Sequence, residues 1–208
     1  MKKKNIVAKV WHAFVRRILH ISLGKMHYLR LTIDIAKVKK QLENFNLPVK
    51  ELTYEDFLKG NKDVFQGAKL ELIKERLKDP SYKAYGIIED DYLIYSTWIS
   101  LKKLGLSVET KEILLAEDEG LLEDSFCDYK ARGRGIHGMM NWWRIHKLYE
   151  LGKRKVIVIV LEGNTPAFNV QFKCGFREYG TFYNGYVFGC KVNTLNKAKF
   201  DAVPDIID

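Results

Sequence analysis

The chain has 208 residues, of which 47% are apolar, 12% aromatic and 29% charged, a composition that can fill a packed core and excludes a disordered polymer. Its three cysteines, Cys127, Cys174 and Cys190, are odd in number and lack metal-ligand spacing, so reduced thiols in a cytosolic compartment are expected, with no metal site and no disulfide framework. The net charge of +9 is uneven: residues 1–50 carry twelve Lys or Arg against Asp34 and Glu43, which leaves the other 158 residues nearly neutral and argues against a nucleic-acid-binding body.

Residues 5–22 place Ile6, Val7, Val10, Trp11, Phe14, Val15, Ile18 and Leu19 at three-and-four spacing, which predicts an amphipathic helix. Lys9 and the Arg16-Arg17 pair interrupt any apolar run long enough for a signal peptide or a membrane span. Two readings follow. The helix lies on an anionic membrane surface, which would make the protein peripheral on the inner face, or it packs on its own domain or on a second copy of the chain, as in a homodimer.

Residues 27–35 alternate like a strand, and a short helix follows before Pro48. We therefore divide the chain into a basic extension at 1–48 and a main domain at 49–208. Thr53 and Asp56 have capping-box spacing at a helix start, and a helix is predicted from Ala68 to Leu77. Residues 83–89 and 92–100 flank Asp90-Asp91 and read as an antiparallel hairpin. Residues 111–117 and 121–128 read as further strands, the second entering a glycine-rich loop. A helix with Met139, Met140, Trp143 and Leu148 as core contacts is predicted from Ile136 to Leu151, ended by Gly152. Residues 155–161 are nearly all apolar and β-branched, as a central strand is. A helix from Thr165 to Cys174 follows, and Asn184-Gly185 predicts a closing hairpin turn.

Chemistry concentrates between Lys130 and Gly138. Glycines there let backbone amides approach an anion, the positive end of the following helix attracts phosphate oxygens, and Arg132 and Arg134 add mobile cations. The stretch suits a pyrophosphate. His137-Gly138-Met139 lacks the Gly-Lys-Ser/Thr ending of a nucleoside-triphosphate loop. Gly133, Gly135 and Gly138 do spell GxGxxG, and Glu162 ends the next strand, so a dinucleotide site is an alternative. Against it, Lys130 to Arg132 separate the strand from the first glycine, and fewer than fifty residues follow Glu162.

The residues also resemble the GNAT superfamily of acetyl-CoA-dependent N-acetyltransferases. Arg132-Gly133-Arg134-Gly135-Ile136-His137-Gly138 is similar to that family's glycine loop at the start of its long helix, with Lys130 at its Gln/Arg position. Residues 163–176 resemble its later motif, in which Asn164 opens a helix, Ala167 follows three residues on and Gly175-Phe176 close it. The resemblance covers roughly residues 50–190. It implies a mixed α/β fold with a mostly antiparallel central sheet flanked by helices, and with splayed parallel strands around a β-α-β unit. It implies that the backbone near Phe126 and Cys127 pairs with pantetheine, that residues 132–138 hold the pyrophosphate, and that Asn164 reaches a pantetheine amide.

The activity implied is direct transfer of an acetyl group from acetyl-CoA to an amine of a small molecule or glycan. Glu123, Asp124 and Glu162 are the candidate bases by position. Counting from Asn164, the position where many members carry a proton-donating Tyr is Gln171, and an amide is not a general acid. Losing such an acid costs about 10²- to 10⁴-fold, so a non-catalytic coenzyme A-binding module is the competing reading.

Overall fold

In a computed structural model, residues 22–104 and 113–201 are described; residues 5–21 of the predicted helix and the first two residues of the strand predicted at 111–117 fall outside them. The described chain divides into two compact units. The larger comprises residues 30–158 and 166–177, the smaller residues up to 29, 159–165 and those from 178 onward.

The larger unit begins within β1 (Ser22–Thr32) and continues into α1 (Ile35–Leu42), which Asp34 caps by accepting from the Lys37 amide at 3.1 Å. Strand β2 (Val49–Glu51) leads to α2 (Tyr54–Leu58), where Thr53 and Asp56 form the predicted capping box. Helix α3 (Gly67–Lys78) precedes β3 (Tyr82–Glu89) and β4 (Tyr92–Ser100). Asp90 and Asp91 both take positive φ, 48° and 58°, the conformation of a two-residue hairpin turn. Strands β5 (Lys103–Leu104) and β6 (Ile113–Leu114) form a separate two-residue ladder.

Strand β7 (Glu119–Cys127) runs through a 3₁₀ turn (Tyr129–Ala131) and the glycine loop into α4 (Ile136–Glu150), and β8 (Lys155–Leu161) returns beside β7. Helix α5 (Thr165–Cys174) follows. The sheet of this unit has the order β8-β7-β4-β3-β2, antiparallel except where β7 and β8 pair in parallel through a β-α-β connection. On one face Ala84, Leu93 and Trp98 cluster with Leu52, Phe57 of α2, Phe65 and Ile73 of α3, with Phe57 stacked on Trp98 at 5.7 Å. The other carries Ile87, Ile94 and Tyr95 against Ile136 and Met140 of α4. Each fully buried apolar side chain contributes about 1.5–3 kcal/mol, so these two clusters hold the β7-loop-α4 unit in place.

In the smaller unit β10 (Cys190–Asn193) pairs antiparallel with β9 (Arg177–Val187), and β9 neighbours β1. Helix α6 (Lys197–Asp201) follows, and Phe200 stacks on Tyr28 of β1 at 4.8 Å. Here one expectation fails. Asn184-Gly185 is not a turn: β9 continues through it, and the turn falls at Phe188-Gly189, where both residues take positive φ. A Cβ on Gly185 would lie 1.7 Å from the Ser22 carbonyl oxygen, so the glycine serves close approach to β1.

Candidate functional site

Strand β7 is irregular where the site forms. Glu123 faces Trp98 of β4 and Phe126 faces Ser96, so Asp124 and Ser125 together oppose Thr97 alone. This is a β-bulge, and Asp124 takes φ +49° to make it. Without the extra residue Glu123 and Ser125 would share a face. With it, Glu123 turns to Arg76 of α3 and Ser125 turns to Arg144 of α4. The parallel ladder to β8 covers Glu119–Leu122 against Lys155–Val158; past Leu122, β7 has no ladder partner on that edge among the described residues, while Phe126 and Cys127 stay paired with Ser96 and Tyr95 of β4 on the other edge.

The loop after β7 is anchored by Asp128, whose buried carboxylate accepts from the Lys130 amide at 3.0 Å, the Tyr92 hydroxyl at 3.0 Å and the Asn61 amide at 3.4 Å. Gly133 and Gly135 have φ of +79° and +74°, and a Cβ on either, or on Gly138, would meet nothing within 4 Å. Gly133 and Gly135 therefore serve backbone conformation, with open space beside them. The first turn of α4 closes with the Met139 amide donating to the Gly135 carbonyl at 3.2 Å. Between Gly133 and Gly138 no backbone amide donates to a backbone carbonyl among the described residues, which leaves six consecutive N–H groups at a helix N-terminus.

Both loop arginines are engaged. Arg132 Nε donates to the Cys127 carbonyl at 3.2 Å, and Arg134 makes a two-pronged pair with Glu89 at 2.7 and 2.8 Å. Ile136 is buried in the core beneath the loop. His137, expected beside phosphate, is half-buried, with Nδ1 2.8 Å from the Tyr95 hydroxyl. Burial, reinforced by Arg144, pulls its pKa down to about 4, so the ring is neutral at physiological pH. Burial pushes the Cys127 thiol up, which makes it a poor nucleophile and disfavours an acyl-cysteine.

The candidate bases separate. Glu123 has a side chain only 12% exposed and an Oε1 with no hydrogen-bond partner, while its Oε2 lies 3.3 Å from Arg76. Burial outweighs that cation and raises its pKa to about 7. Asp124 is ion-paired with Lys69 at 2.5 Å and Arg76 at 3.1 Å. Glu162 belongs to the smaller unit, where a 2.7 Å bond from Lys25 holds its carboxyl below the ordinary range. Asn164 lies exposed in that unit, and Ala167 is half-buried on α5.

Gln171 is buried, its Oε1 accepting from Asn141 Nδ2 at 2.9 Å. Behind it sits a group that motif reading misses. Arg144 of α4 is 1% exposed; its Nη1 donates to Thr97 Oγ1 at 2.5 Å and to Ser125 Oγ at 2.9 Å, and its Nη2 donates to Asn141 Oδ1. All these partners are neutral, and its Nε has none among the described residues. The sequence does carry a signal for it: Ile136, Met140, Arg144 and Leu148 recur every four residues, so an arginine occupies the apolar stripe of α4.

No family model matches this chain, and no curated protein matches it. Solved structures do. A conserved protein of unknown function from Staphylococcus epidermidis superposes with a TM-score of 0.54 at 11% identity over 84% of this chain and 65% of that one. A protein assigned to the GNAT acetyltransferases from Novosphingobium aromaticivorans gives 0.54 at 11% identity over 78% and 63%. A Drosophila protein gives 0.52 at 14% identity over 86% and 56%. The chain thus spans less than two thirds of the length of each. At such identities the likeness is one of fold: a GNAT-like mixed α/β architecture with a mostly antiparallel central sheet flanked by helices.

Proposed function

We propose that the chain binds acetyl-CoA at the β7-loop-α4 unit and transfers the acetyl group directly to an amine. The observation that carries this reading is the row of six amides from Gly133 to Gly138 that have no backbone acceptor among the described residues, beside open space and directly after a strand whose edge past Leu122 has no ladder partner among them. Such amides at a helix N-terminus fit the pyrophosphate, and the free edge near Phe126 and Cys127 fits the amides of pantetheine. The GxGxxG alternative draws no support from a sheet with antiparallel strands on one side of its single parallel pair, since a dinucleotide fold is doubly wound and parallel.

In this reading Glu123 is the base. A carboxylate with a pKa of about 7 is half ionised near neutral pH, matched to removing a proton from an amine. The bulge places it on the same strand as the pairing edge, with an oxygen that has no other partner. Asp124 is held by two cations, and Gln171 is a hydrogen-bonded part of the core.

The loop assignment is tested by Gly135→Asp, which puts a carboxylate at the phosphate position while facing open space. We expect calorimetry to show CoASH affinity reduced at least 100-fold, with the circular dichroism spectrum unchanged. Equal affinity in the variant would remove the reading. Release of free thiol from acetyl-CoA across a panel of small amines, amino sugars and peptide amino termini then separates a transferase from a module that only binds.

A further inference from the structure

A cation buried in a protein core ordinarily faces an acid, because desolvating an isolated charge is costly. Arg144 does not. Thr97, Ser125 and Asn141 supply only neutral oxygens, and the groups beyond them are the Gln171 amide, the Cys174 thiol and the Tyr95 phenol. Burial opposes the charge on Arg144, and the Tyr95 and Cys174 groups only partly relieve it. The guanidinium also retains one buried N–H with no acceptor.

The position is specific. Arg144 lies eight residues along α4 from Ile136, roughly 12 Å from the phosphate-binding end at 1.5 Å per residue. Its contact Ser125 is an exposed residue of the bulge, on the stretch of β7 past Leu122 whose edge has no ladder partner among the described residues. Ser125 Oγ accepts from Arg144 and so keeps its own proton for a further acceptor, which is Thr97 Oγ1 at 2.8 Å, the Tyr95 phenol oxygen or an atom arriving along the open edge.

Building on the acetyl-CoA reading, we infer that Ser125 is a catalytic hydrogen-bond donor to the departing thiolate, and that Arg144 is the positioning residue whose buried charge makes that donation effective. The step balances without a proton donor on α5. The amine nitrogen forms the C–N bond and gives its proton to Glu123, while the C–S pair moves onto sulfur. That negative charge is met by the Ser125 O–H, itself polarised by the guanidinium. No proton leaves Ser125. The thiolate is protonated later, on exchange with solvent, and this accounts for an enzyme with Gln171 where a proton-donating Tyr is otherwise expected. Preorganised donors aimed at developing charge are each worth about 10²- to 10³-fold in rate.

The test needs neither turnover nor a known acceptor. The full chain is saturated with CoASH, and the ultraviolet absorbance of its thiolate is followed against pH, with the desulfo-CoA complex subtracted to remove the protein's own cysteines. We expect the bound thiol to ionise at least one pH unit below its ordinary value near 8.5. In Ser125→Ala and in Arg144→Met it should return to within a few tenths of that value while CoASH affinity changes less than threefold. An unshifted or raised thiol in the native protein, or a shift retained in both variants, overturns the inference. Calorimetry separates the levels: a native chain that fails to bind CoASH removes the acetyl-CoA reading and this inference together, whereas one that binds with an unshifted thiol removes only the latter. If Arg144→Met does not fold, Ser125→Ala, at an exposed position, decides alone.

Discussion

Glu123 shows how one residue's surroundings set its chemistry. The carboxylate is pushed up to about 7 by burial, against the pull of Arg76, so its ionised fraction changes most steeply near neutrality. We expect the rate with the best amine of the panel to rise with pH along an ascending limb near 7. Glu123→Gln should lose that limb and about 10²- to 10⁴-fold of kcat, with KM for acetyl-CoA little changed. Retention of the limb in the variant would point to a different base. Position along the chain brought Glu123, Asp124 and Glu162 forward as equals; what distinguishes them is the bulge, Lys69 and Lys25, and none of these is visible until the strands are paired. Arg144 was hidden differently. A long basic side chain in a helix is ordinarily solvated, and only the four-residue spacing of Ile136, Met140 and Leu148 places it inside.

At the scale of elements, legibility followed local physics. The capping box at Thr53 and Asp56, the hairpin across Asp90-Asp91 and the helix at 136–150 were readable because each is decided by neighbouring residues. The bulge in β7 was not, since it exists only relative to β4. Asn184-Gly185 misled for a related reason: the dipeptide favours a turn, but the approach of β1 at Ser22 claims the glycine for an extended strand. The loop-helix junction makes its own prediction. Amides without acceptors exchange with solvent deuterium without any opening of the structure, so those from Gly133 to Gly138 should exchange far faster than the later amides of α4. Added CoASH should slow that set selectively; uniform slowing, or none, would contradict pyrophosphate binding there.

For the whole molecule, two buried titrating groups oppose one another. Glu123 has a folded value of about 7 against an ordinary 4.5, so its contribution to stability is lost as pH rises from 4.5 to 7. His137 has a folded value of about 4 against 6.5, so its contribution is lost as pH falls from 6.5 towards 4. Between about pH 5 and 6.5 the folded chain holds a proton on Glu123 and the unfolded chain holds one on His137, and the two slopes cancel. We expect the urea midpoint to be nearly flat over that range. Glu123→Gln should make stability fall on acidification, and His137→Asn should make it rise. Two flat profiles would show that neither group is shifted as described.

The pairing of Arg134 with Glu89 carries a consequence for ionic strength. A cation already neutralised by a carboxylate sheds few counterions when a phosphate takes that partner's place, because one pairing is traded for another. Attraction between the loop and its ligand then rests on the fixed peptide dipoles of the helix start, which added salt does not displace one for one. If the loop holds a pyrophosphate as proposed, that binding is expected to survive the salt concentrations of a living cell.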